Sequence, residues 1–206
     1  MEKFAFLFPG QGTQFVQMGK YFIDQYAIAK ETFNEASQVY GHDVAKLCLE
    51  GKPSELSEFT NMQIAIVTTE VAIFRCYMED YGINPQFAMG HSIGQYAALV
   101  CAGGLHFADA IKLLITRGEL VKEVLLQQKG HMTILEKADY DLLMDSVNKH
   151  KDAYISCYNT RSQFAVSGTN DALDQIEREL ISQGAVVSPL LFGPPLHSEL
   201  MREIKE

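Results

Sequence analysis

No stretch of this 206-residue chain can cross a membrane. The apolar segment Ile64 to Val67 is broken by Thr68, Thr69 and Glu70, and a spanning helix needs about 20 apolar residues. Positive charge is scarce. Seventeen Lys and Arg face 26 Asp and Glu, for a net charge of −9, which argues against nucleic acid as a bulk partner. Cysteine is sparse and scattered, at Cys48, Cys76, Cys101 and Cys157. No C-x-x-C or His/Cys spacing marks a metal site, and the thiols read as buried or free in a reducing compartment. The apolar opening that ends at Phe8 is too short for a signal sequence, and Pro9-Gly10 stops it. The expected location is cytoplasmic. Repeats and low-complexity tracts are absent.

What is present is an ordinary globular composition, 47% hydrophobic and 21% charged, with ample material for a core. Lys3 to Phe8 reads as a continuous apolar strand, of the kind buried on both faces of a parallel sheet. Helical patterns follow over Phe22–Tyr40 and Met62–Tyr81, the second apolar nearly all round and so expected to be buried. A strand at Phe87, a helix from Gln95 and a longer helix over Phe107–Gln128, ended by Lys129-Gly130, come next.

After Gly130 the pattern changes. Strand, helix, strand, strand, helix and strand follow in about sixty residues, with Asn170 as the expected cap of the second helix and the last strand over Val186–Leu191. That order reads as a ferredoxin-like βαββαβ unit. It is expected to be a small domain, residues 130–192, inserted into a larger α/β domain formed by residues 1–129 and 193–206.

The most informative segment is Gly90-His91-Ser92-Ile93-Gly94. It reads G-x-S-x-G between a strand and a helix, a sharp turn that exposes a serine hydroxyl. Backbone N–H groups at the start of the following helix would face a developing oxyanion. Such a serine needs a base. His91 lies in the turn itself, and its side chain should point away from that of Ser92. His197 follows Pro194 and Pro195, which fix the approach of the chain. The residues alone leave two readings of His197, a general base or an incidental residue in a capping turn. Arg117 has Leu113, Leu114, Leu120 and Val121 as helical neighbours, so its charge needs a partner. It reads as a carboxylate clamp, a structural ion pair, or a stem that reaches solvent.

Four motifs together resemble the malonyl-CoA:acyl-carrier-protein transacylase family, the acyltransferases of fatty-acid and polyketide synthesis. They are Phe8-Pro9-Gly10-Gln11-Gly12-Thr13-Gln14, the Ser92 turn continuing to Leu99, Arg117-Gly118, and Leu196-His197-Ser198 followed by Met201. Asn159, Gln163 and Val166-Ser167-Gly168 are similar to the small-domain signature of that family. The resemblance implies an α/β-hydrolase-like large domain with a parallel sheet plus the inserted ferredoxin-like domain. It implies Ser92 as the acylated nucleophile and His197 as its base. Backbone N–H groups of Gln11 and Ile93 form the oxyanion hole, and Arg117, Gln11 and His91 bind substrate. The activity implied is malonyl transfer from coenzyme A to the phosphopantetheine thiol of an acyl carrier protein. The CoA thioester is then a substrate, with no bound cofactor, no metal, no nucleic acid and no membrane.

Three departures from the family pattern bear on this. Gln95 stands where the family usually has glutamate, and Leu196 where phenylalanine or serine often precedes the histidine. The chain ends nine residues after His197, whereas family members continue, so a C-terminal part of the large domain is expected to be missing. Two other functions compete: a hydrolase that clears acyl groups from carrier proteins with the same serine and histidine, and a truncated non-catalytic module, which the missing tail suggests. Arg117 discriminates, because an editor of neutral acyl chains has no use for it.

Overall fold

The computed structural model describes residues 3–127, 130–190 and 193–205. It is an α/β structure with one parallel and one antiparallel sheet. The chain divides into two compact units, with the boundary between Gly118 and Glu119.

In the first unit, β1 (Ala5–Phe8) pairs in parallel with β2 (Phe87–Gly90), in register from Ala5↔Phe87 to Phe8↔Gly90. Between them run α1 (Lys20–Gln25), α2 (Ala27–Tyr40), α3 (Val44–Glu50), α4 (Pro53–Leu56) and α5 (Phe59–Tyr81). Beyond β2 come α6 (Gly94–Cys101) and α7 (Phe107–Leu126), and the unit boundary falls inside α7. Helix α5 is the centre of the core. Ile64, Ala65, Ile66 and Val67 are consecutive and all buried, as an all-round apolar helix requires.

Three local expectations change. The single helix expected over Phe22–Tyr40 is broken at Tyr26, whose backbone is extended and ends α1 before α2 begins. Helices α3 and α4 are additional; Asp43 caps α3 by accepting from the Lys46 amide, and Pro53 opens α4 at a position where its missing N–H costs nothing. Strand β1 is not buried on both faces within the described residues. Phe6 packs edge-on against Phe74 and Tyr77 of α5, while Leu7 and Met89 on the other face are 71% and 55% exposed.

The second unit contains β3 (His131–Glu136), α8 (Tyr140–Asn148), β4 (Ala153–Tyr158), β5 (Gln163–Gly168), α9 (Asn170–Ser182), β6 (Val186–Leu190) and a 3-10 helix (Glu199–Lys205). Its sheet runs β4-β5-β3-β6, with every neighbouring pair antiparallel. Leu173, Ile176 and Leu180 of α9 are buried, as their helical spacing predicts. The cap differs. Thr169 occupies the cap position of α9, and the Asn170 side chain instead meets His131 Nδ1 at 2.9 Å. Gln128, Lys129 and Leu191, assigned from sequence to the ends of α7 and β6, lie outside the described residues. No described helix is long and apolar enough to cross a membrane.

Candidate active site

Ser92 lies in the turn between β2 and α6 with φ +51°, in the left-handed region. A non-glycine residue there is strained, and such strain persists only where the surroundings enforce it. The two flanking glycines provide the enforcement. A Cβ on Gly90 would run into the backbone of Gly94 and the amide of Gln95. A Cβ on Gly94 would run into the carbonyls of Phe8 and Pro9. The motif therefore needs glycine at both places because three backbone segments meet there, a physical reason independent of any signature.

The same packing joins the Ser92 turn to the loop after β1. The His91 amide donates to Phe8 O at 2.9 Å, and the His91 carbonyl accepts from Gly94 N at 3.0 Å. The His91 ring stands against Gly10, so that a Cβ there would come within 2.9 Å of Nδ1. Gln11 follows in an exposed turn. Among the described residues, neither the Gln11 amide nor the Ile93 amide has a hydrogen-bond acceptor. Ile93 itself is buried. Two open N–H donors beside a strained serine suit an incoming oxyanion. A pocket of ≈ 400 Å³, lined by Leu7, Phe8, Pro9, Met89, Gly90 and His91, opens at the carboxyl ends of β1 and β2. Ligands of open parallel sheets bind at that end.

Arg117 sits on the rim of the buried stripe of α7. Leu114 and Val121 are buried, but Leu113 is 49% exposed. The guanidinium donates through Nη1 to Gln63 Oε1 of α5, and its carbon lies 5.3 Å from the centre of the Phe59 ring. Gln63 is fully buried, and its own Nε2 donates to Phe59 O at 3.0 Å, which fixes the amide with its oxygen toward Arg117. Burial pulls the Arg117 pKa down, and Tyr96, one turn after Ser92 on α6, pulls slightly the other way. Among the described residues no carboxylate is paired with Arg117. Close helix packing brings Arg117 here: a Cβ on the next residue, Gly118, would overlap Thr60.

His197 belongs to the second unit and also has positive φ, +56°. Ser198 Oγ donates to Pro195 O at 2.5 Å, and Leu196 N to Pro194 O at 2.8 Å, so the segment is tightly turned. No group of His, Cys, Asp and Glu among the described residues could hold a metal ion. All four cysteines are free, and burial raises each thiol pKa, Cys48 and Cys101 to about 12. None is an activated thiolate.

Sequence reasoning missed Gln63 and Phe59, although one signal was available. A glutamine on a helix that is apolar nearly all round must have a partner inside the protein.

The first unit thus holds a strained serine turn, open amide donors and an arginine without a carboxylate partner among the described residues. The chain matches the family described as acyl transferase domain over residues 5–206, and it belongs to that family. It is 39% identical over 210 residues to a malonyl CoA-acyl carrier protein transacylase of Bacillus subtilis, covering all of this chain and 52% of that protein. It is 33% identical over 206 residues to the transacylase of the same name from Salmonella typhimurium, covering 98% of this chain and 67% of the relative. Among solved structures, the complex of a type II PKS acyl-carrier protein with its malonyl-transacylase matches with TM-score 0.91 and 31% identity, over 98% of this chain and 66% of that one. The chain thus spans between about half and two thirds of the length of these relatives.

Proposed function

We propose that this chain transfers a malonyl group from coenzyme A to the phosphopantetheine thiol of an acyl carrier protein through an acyl-serine. Ser92 Oγ attacks the thioester carbonyl while His197 takes its proton. The Gln11 and Ile93 amides hold the oxyanion. The C–S bond then breaks, and His197 returns the proton to the departing CoA thiol. The carrier thiol next attacks the acyl-serine by the reverse sequence and frees Ser92. Both ends of the transfer are thioesters, so the chemistry needs no bound cofactor. His91 lines the pocket and with Gln11 contacts the substrate, and Arg117 grips the free carboxylate of the malonyl group through parallel hydrogen bonds.

One observation carries this reading: Arg117 is partly buried, is oriented by Gln63, and has no carboxylate partner among the described residues. A structural ion pair would have supplied one. A hydrolase of neutral acyl chains would have no use for the charge.

The finer architecture we propose is an α/β-hydrolase-like large domain carrying a ferredoxin-like insertion. The antiparallel sheet, in the order fourth, first, third, second when its strands are numbered from β3, supports the second part. We take residues 130–192 as the insertion and 1–129 with 193–206 as the large domain, in a cytoplasmic protein. Four strands between His131 and Leu190 support those limits, while the compact second unit extends further on both sides. The test of function is discharge: protein loaded with malonyl-CoA should pass the group to an added holo-carrier protein. Release as free malonate instead would favour the hydrolase.

A further inference from the structure

The residue before His197 is held by two serines from the antiparallel sheet. Ser167 on β5 is completely buried, and its Oγ donates to the Leu196 carbonyl at 2.6 Å. Ser156 on β4 has its Oγ 3.0 Å from the same carbonyl and 2.8 Å from Ser167 Oγ. Both contacts reach far along the chain, 29 and 40 residues.

Ser156 owes its aim to an irregularity. The β4–β5 ladder pairs Ile155 with Val166 and then Cys157 with Ala165. Ser156 is therefore the extra residue of a bulge, without a partner in the ladder. Bulges recur where a side chain must be re-aimed. The held carbonyl belongs to the peptide unit whose nitrogen is that of His197. Rotation about the next bond sets the His197 φ, which is +56°. A side chain in that conformation stays only if the peptide before it and the turn after it are both fixed. The serines fix the first, and the Ser198 to Pro195 bond fixes the second.

We infer that Ser156 and Ser167 are positioning residues for His197, acting through the Leu196 carbonyl. The inference rests on the reading of His197 as the base. The two hydroxyls do not touch substrate. They set where the imidazole stands, and a proton acceptor displaced by even 1 Å loses most of its effect.

The test is single-turnover acylation by malonyl-CoA, with steady-state kcat and KM, in the full chain. Ser156→Ala/Ser167→Ala should acylate roughly ten- to a hundredfold more slowly with an unchanged KM. The same pair placed in His197→Ala should cause no further loss, because the serines act only through that side chain. Acylation by the pair at the wild-type rate would overturn the inference. So would an equal further loss in the His197→Ala background, which would mark a general structural role. Ser156→Ala alone, at a partly exposed position, carries the test if the pair does not fold; it should lower kcat severalfold, and an unchanged kcat would overturn the inference. If His197→Ala itself acylates at the wild-type rate, the assignment of the base fails and the positioning role falls with it. A normal loss in His197→Ala with none in the serine variants removes the positioning role alone.

Discussion

The Arg117 guanidinium on α7 donates to the side-chain oxygen of Gln63 on α5, an amide that is itself fully buried. The bond orients the arginine without neutralising it, and in the proposed function its charge meets the substrate carboxylate. Arg117→Ala should therefore lose malonyl loading far more than acetyl loading. Removing one partner of a buried, hydrogen-bonded charge pair costs about 2–5 kcal/mol, or roughly thirty- to several-thousand-fold. The ratio of malonyl to acetyl adduct, in wild type and variant, measures it. An unchanged ratio would make Arg117 structural.

Gln63→Leu should reduce the same ratio by less. It leaves the charge in place but removes its orienting acceptor, and hydrogen bonds to charged groups contribute about 1.5–3 kcal/mol. KM for malonyl-CoA should rise while acetyl loading stays near the wild-type value. Equal losses on both substrates would place Gln63 in the fold rather than in recognition.

Gly118→Ala should destabilise the chain and impair malonyl loading together. The new Cβ meets the Thr60 side chain, so α5 and α7 must separate. Overpacking of this kind costs about 1–3 kcal/mol. Adding Thr60→Ala, which removes two of the three overlapping atoms, should restore part of both properties in denaturant unfolding and loading assays. No recovery of either would show that the helix contact is not the cause.

Glu70 gives a pH dependence of stability. It is buried on α5, neither carboxylate oxygen has a hydrogen-bond partner among the described residues, and desolvation raises its pKa from 4.5 to about 8. The folded state thus holds a proton that the unfolded chain has released. The contribution of Glu70 is complete below pH about 4.5 and is lost as pH rises through about 8. Between those values stability should fall by up to about 1.4 kcal/mol per pH unit from this group. Glu70→Gln, which keeps the shape of the protonated acid, should flatten that slope in urea unfolding between pH 5 and 8. Parallel curves for the two proteins would contradict the assignment.

The local structure of the Ser92 turn in the candidate site was legible because its determinants are local. The strand, the glycine spacing and the helix after Ser92 all lie within about fifteen residues, and each has a steric reason visible in the sequence. The small sheet was legible from the change of pattern after Gly130 and from the periodicity of α9. Other features depend on partners far along the chain. Arg117 lies 54 residues from Gln63, and Asn170 gives up a capping role for His131, 39 residues away. The break at Tyr26 and the short helices α3 and α4 escaped because helices of six, seven and four residues are too short for a periodic pattern. That Leu7 is exposed among the described residues while Phe6 packs on α5 was not legible, because the two side chains are equally apolar and only the placement of α5 tells them apart.

The most direct test of the central claim is mass spectrometry of the protein after brief incubation with malonyl-CoA. A single malonyl adduct should appear on the peptide that contains Ser92. It should be absent in Ser92→Ala, which keeps the wild-type fold by circular dichroism. Adduct of equal yield in wild type and Ser92→Ala, or none in a folded wild type, would contradict the account.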